Sequence, residues 1–166
     1  MLPERPKLHI EKTGIEKFAN IIGLASILAM ILFIIFNWNA LPGTVPTHFN
    51  GAGEADAWGS KFSLLILPAI AIVLHLFMGI VERKPHAHNY PARLTEENAP
   101  QFYIESRKIV NLTKNVCTVM FAYIVIRSIL VALGEADGLG ILGMVIFFMV
   151  LAIVIIRGMV RMSKIK

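Results

Sequence analysis

This chain has little charge, a single cysteine, and no catalytic or cofactor signature. Charged residues make up 16% of its 166 positions while hydrophobic ones make up 56%, and mean hydropathy is +0.67. A soluble domain carries nearer a quarter charged residues. One cysteine, Cys117, excludes an intramolecular disulfide and any cysteine-based metal cluster. Neither a phosphate-cradling glycine loop, an H-E-x-x-H pair nor a dinucleotide fingerprint occurs, so no motif supports an enzyme and none calls for a cofactor.

The shortage of charge is concentrated in four stretches: Asn20–Trp38, Phe62–Val81, Val116–Leu133 (interrupted by Arg127) and Leu139–Ile156. Each holds roughly 18–20 residues, which as a helix is about 27–30 Å, the thickness of the hydrocarbon layer. Lipid leaves no backbone amide unpaired, so the segments are helices. The expected architecture is an all-α, single-domain, four-helix membrane bundle with spans near 20–38, 62–81, 110–133 and 139–157, an ordered loop at 39–61 and a second loop at 82–109. The first span is too long for a signal h-region, follows a polar arm and precedes no A-x-A-like site, so it reads as a retained span.

Fourteen of the sixteen Lys and Arg residues lie in the N-terminal arm, the 82–114 region and the C-terminus. Lys61 alone lies in the first loop, and Arg127 lies within a span. The positive-inside rule therefore predicts a multi-pass plasma-membrane protein with cytoplasmic termini and the 39–61 loop outside. This also accounts for the isoelectric point near 9.6 without nucleic acid; the bilayer is the expected partner. The arm Met1–Lys17 reads as an interfacial helix or frayed lead-in interrupted by Gly14. Thr95 or Asn98 is positioned to cap a helix that starts near Pro100 and runs into the third span. Gly138, Gly140 and Gly143 permit close helix contact and are compatible with a homo-oligomer without requiring one.

The outer loop is dense in polar chemistry. Pro42 and Pro46 restrict it and its glycines permit turns, which predicts a compact lid. His48, Asn50, Glu54 and Asp56 form a nitrogen-and-oxygen set suited to a divalent ion, although H-x-N-x-x-x-E-x-D is no established metal signature. The plain alternative has Asn50 and Asp56 shaping turns, His48 bonding a carbonyl and Trp58 at the membrane interface. Lys61 begins a helix, where its charge is unfavourable, so Asp56 or Glu54 is expected beside it. Arg127, about 9 Å below the outer boundary at helical rise, is expected to face protein or water and to have a partner, the alternative being simple snorkelling to the outer interface. The expectation is a carboxylate of Glu54, Asp56, Glu135 or Asp137, tying the lid to the bundle. His75 with Asn111 and Asn115, the latter two sharing a helix face, forms a candidate intramembrane cluster or proton relay. His86 and His88 read as a solvated pair.

The run Leu41-Pro42-x-x-Val45-Pro46-Thr47-His48-Phe49-Asn50-x-x-Gly53-Glu54-x-Asp56-x-Trp58-Gly59-Ser60-Lys61 resembles the hallmark of an uncharacterised bacterial membrane domain. That domain also forms the N-terminal part of SdpI-type toxin-immunity proteins. The resemblance implies a plasma-membrane protein of Gram-positive-type bacteria or archaea with the motif outside, and immunity to, or sensing of, a secreted antibacterial peptide. Together these readings favour a non-enzymatic protein that binds an extracellular peptide, or regulates a membrane partner, through the lid. One alternative is a small transporter or ion-coupled protein using Arg127, His75, Asn111 and Asn115. Another is a metal-dependent enzyme at His48, Glu54 and Asp56.

Overall fold

A computed structural model describes residues 5–166. Helix α1 (Gly14–Asn37) leads to a β-hairpin of strands β1 (Thr44–Phe49) and β2 (Ala55–Ser60). One 3-10 turn, Lys61–Leu65, then enters α2 (Ile66–Glu82). Helix α3 (Ala99–Ala132) and helix α4 (Ile141–Ser163) complete the chain. Among the described residues four helical segments are long and apolar enough to cross a membrane, so the protein is read as multi-pass. The hairpin and the α3–α4 turn lie at one end of the bundle; residues 5–13, the C-terminus and the α2–α3 connection lie at the other.

The expected all-α description is therefore incomplete, because the 39–61 segment contains a two-stranded antiparallel sheet. Val45 and Pro46 are buried on β1 while β2 is mostly exposed. Such a pair is marginal alone and persists where one strand packs on a helix; here that helix is α3.

Of the two readings of the N-terminal arm, the interfacial helix is not found over the described residues and the lead-in remains. The arm's first four residues lie outside the described part, and 5–13 form no helix. Helix α1 begins at Gly14 because Glu16 reaches back to accept from the Thr13 amide and hydroxyl, each at 2.7 Å, satisfying a donor that the helix start leaves orphaned. At α3 the predicted start holds, but the capping differs. The Asn98 amide accepts from Thr95 N–H and donates to the Arg93 and Lys166 carbonyls. It pins the loop and the C-terminus rather than the first turn.

Helix α3 is the axis of the bundle. At 34 residues it is about 51 Å long, longer than the bilayer core, and it packs against all three other helices. Its buried side chains change character along its length. Ala99, Phe102 and Tyr103 form an apolar cluster with Tyr90 and Ile10 at the terminal end. Ala122, Val125 and Ile129 join Met30, Ile34, Val45 and Ala71 in a second cluster at the hairpin end. Between them the buried residues are Ser106, Arg107, Asn111, Lys114, Asn115 and Thr118. That polar layer is the unusual feature of the interior.

Candidate functional site

The hairpin is built by the polar residues that stand out in the sequence. Asn50 Oδ1 accepts from the amides of Ala52 and Glu54 at 2.9 and 3.0 Å, an Asx turn. Gly53 supplies the φ of +79° that the turn requires. Asn50 Nδ2 also donates to the Glu54 carboxylate at 3.1 Å, so Glu54 faces Asn50. His48 Nδ1 lies 2.5 Å from Asp56 Oδ1 across the strands, and both side chains are exposed. Among the described residues no three His, Cys, Asp or Glu side chains converge on a metal position. His48, Glu54 and Asp56, named above as one alternative ligand triad, form a pair and a separate turn contact.

Lys61 finds neither Asp56 nor Glu54. Its Nζ donates to the Trp38 carbonyl at 3.3 Å and stands 4.9 Å from the Trp38 ring centroid. The C-terminal carbonyl of α1 and an aromatic face thereby meet the cation. Phe62 packs edge-on against the same indole at 5.4 Å.

The expected ion pair of Arg127 is also corrected. Its Nε donates to the Gly138 carbonyl at 2.9 Å and Nη2 reaches the same oxygen. Tyr123 OH donates to the Leu139 carbonyl at 2.6 Å, and Leu139 N–H donates to the Gly53 carbonyl at 2.7 Å. Arg127 does connect bundle to hairpin, but through the α3–α4 turn. A guanidinium can satisfy its donors on carbonyls as well as on acids, while Glu135 and Asp137 stay in water. A Cβ at Gly138 would lie 2.3 Å from the Gly53 carbonyl oxygen, so the two turns touch backbone to backbone. The hairpin thus rests on the α3–α4 turn.

At the other end, the polar layer gathers residues from three helices and the N-terminal arm. Glu82 is 1% exposed and sits between two lysines: Lys12 Nζ at 2.5 Å and Lys114 Nζ at 2.7 Å. Asn111 Nδ2 donates to Glu82 Oε1 and to Asn20 Oδ1, each at 2.9 Å. Asn115 Nδ2 donates to Asn20 Oδ1 and to the Asn111 carbonyl. Thr118 donates to the Lys114 carbonyl at 2.9 Å and lies 3.3 Å from His75 Nδ1. Its hydroxyl proton is thus committed, and it accepts from His75 Nδ1–H. Glu16 and Arg107 form a second buried pair at 2.8 Å. Fully bonded buried charges of this kind are strongly destabilised by loss of one partner.

The predicted trio of His75, Asn111 and Asn115 is therefore brought together, while Arg127 lies at the opposite end. Sequence reasoning missed Lys12, Glu16, Asn20, Glu82, Arg107, Lys114 and Thr118, having counted the charged ones as loop residues. A signal existed: 107, 111, 114, 115 and 118 recur at three- and four-residue spacing, a polar stripe on one helix face. Gly23 lies where α1 crosses it; a Cβ there would stand 2.1 Å from Asn115 Oδ1 and 3.3 Å from the His75 ring. Between α1 and α2 the layer borders a cavity of about 430 Å³ lined by Lys12, Asn20, His75, Glu82 and Lys114, with Arg83 and apolar residues beside them.

His88, expected in solvent, is half-buried. Its ring nitrogens lie 3.1 Å from Ser106 Oγ and 3.0 Å from the Val81 carbonyl. Tyr90 OH donates to the Pro85 carbonyl at 2.8 Å. Burial pushes its phenol up to about 12, only partly offset by the Ser106 hydroxyl.

Known proteins bear on part of this chain. A family described as a domain of unknown function (DUF1648) matches residues 25–72, from mid-α1 through the hairpin into α2. An uncharacterized protein of Archaeoglobus fulgidus is 38% identical over 79 residues, covering 43% of this chain and 43% of that protein. The aligned stretch is therefore less than half the length of that relative. No solved structure matches.

Proposed function

We propose that this membrane protein is a non-enzymatic binder that takes up an extended peptide segment, free or belonging to a neighbouring membrane protein, along the free edge of β2. The observation that carries this is the one-sided pairing of β2: it bonds β1 only, and its Trp58 is 53% exposed. The Lys61 N–H to Gly43 carbonyl bond sets the alternation of the ladder. With Val45 opposite Gly59 and Pro46 opposite Trp58, the main-chain groups of Trp58 and Ser60 turn to the open side. An incoming strand pairs with such an edge through its main chain and reads side chains through alternate contacts. Pro46, which has no N–H to offer, falls on the outward alternation of β1.

The charge count supports an extracellular hairpin, and the SdpI-type resemblance supports a secreted antibacterial peptide as ligand. The test expresses the chain in a peptide-sensitive host and measures survival against candidate secreted peptides, beside Trp58→Pro, His48→Ala and Asp56→Ala. Protection lost with Trp58→Pro is expected. Protection equal in all four proteins would remove the hairpin from the function.

A second reading rests on the cavity between α1 and α2. Its buried carboxylate and histidine sit in the half of the bundle nearer the termini, as a one-sided site for a coupling ion or small solute would require. Proteoliposome flux abolished by Glu82→Gln, with the fold retained, would favour it over peptide binding.

A further inference from the structure

We infer that the trough between α1 and α4, floored by α3, is a binding site for one anionic phospholipid of the leaflet on the side of the chain termini. Two adjoining depressions make up this trough. The one nearer the hairpin, about 380 Å³, is walled by side chains such as Phe18, Ile22, Phe147 and Val150 over Val116. The other, about 310 Å³, has Lys108, Arg157 and Arg161 with one acid, Glu105. Ile15, Leu112 and Val154 border both, so they form one channel with an apolar length and a basic foot.

Charge argues for the occupant. Glu105 is shared by Lys108 at 2.9 Å and Arg161 at 3.6 Å, and no ion pair engages Arg157 among the described residues. Three cations against one carboxylate leave a surplus of positive charge, which a phosphodiester headgroup meets. Length argues the same way. From Ile146 at the upper part to Arg157 at the foot is eleven residues of α4, about 16 Å at helical rise, close to half the bilayer core of about 30 Å. The trough is one leaflet deep. Gly158 fixes the foot in place: a Cβ there would lie 2.3 Å from Ile109 Cγ1, so α4 rests directly on α3 between the two arginines. A second copy of this chain would bring the same positive surplus to the foot, which disfavours a self-contact as the occupant.

The experiment is native mass spectrometry of the full chain with equimolar phosphatidylglycerol and phosphatidylcholine of identical acyl chains. The wild type is expected to retain one phosphatidylglycerol in preference. Lys108→Gln/Arg157→Gln should lower that preference by about fivefold for each side chain neutralised, while Arg83→Gln/Lys84→Gln, outside the trough, leaves it unchanged. Val150→Trp, which fills the apolar part, should reduce retention of both lipids. Equal retention of the two lipids by the wild type would overturn the assignment. So would an equal loss in the Arg83/Lys84 control, or a lipid-free dimer.

Discussion

The Arg107–Glu16 pair permits a quantitative test of how the terminal end of the bundle is held. Arg107 Nε and Nη2 lie 2.8 and 3.2 Å from the two Glu16 oxygens, and Nη2 also donates to the Glu11 carbonyl at 2.7 Å. Both side chains are almost fully buried. In Arg107→Met or Glu16→Met one charge loses its partner without gaining water, which costs about 3–5 kcal/mol. For a chain of this length that corresponds to a fall in midpoint of about 6–20 °C. Replacing both by methionine removes the stranded charge; the residual losses are the contact of Glu16 with Thr13 and the Arg107 bonds to the Ile10 and Glu11 carbonyls, together about 2–3 kcal/mol. The double variant is thus expected to be more stable than either single one, with a coupling of at least about 2 kcal/mol. Thermal and denaturant unfolding in detergent, followed by tryptophan fluorescence, measures all four proteins. Single variants within about 1 kcal/mol of wild type, or a double variant equal to the sum of the singles, would refute the reasoning.

Two further outcomes follow from other contacts. Gly23→Ala places a methyl against Asn115, whose amide is held by Asn20 and Asn111, and should destabilise by about 1–3 kcal/mol through overpacking, whereas Gly14→Ala, with open space around it, should not; unfolding midpoints compare them. Tyr90 is held neutral by burial, so its contribution is intact below pH 10 and is lost as pH rises from the unfolded value near 10 towards about 12. Ultraviolet titration should show a late phenolate that is absent in Tyr90→Phe.

The spans were legible because lipid imposes a simple rule: long charge-poor runs are helices. The start of α3 was legible from Thr95, Asn98 and Pro100. The hairpin was not, since its prolines and glycines announce a turn-rich lid without saying that Thr44–Phe49 and Ala55–Ser60 pair; the strand alternation is short and broken by a register shift near His48. Arg127 was correctly read as needing a partner, yet carbonyls at an irregular turn serve a guanidinium as well as carboxylates, and nothing in the residue order identifies a particular carbonyl. His88 was misplaced for the same reason, its partners Ser106 and Val81 being brought near only by the fold.

Sequence alone determined the membrane solvent, the number of spans and the unusual chemistry of the 41–61 segment, because these depend on local composition and on a period of a few residues. Tertiary structure decided which charges are solvated. Glu16, Glu82, Arg107 and Lys114 look like ordinary flanking charges in the chain, and the crossing of α1 and α2 over α3 turns them into a buried network. Burial is a property of several segments at once, distant in sequence. The composition of any one of them therefore could not reveal it.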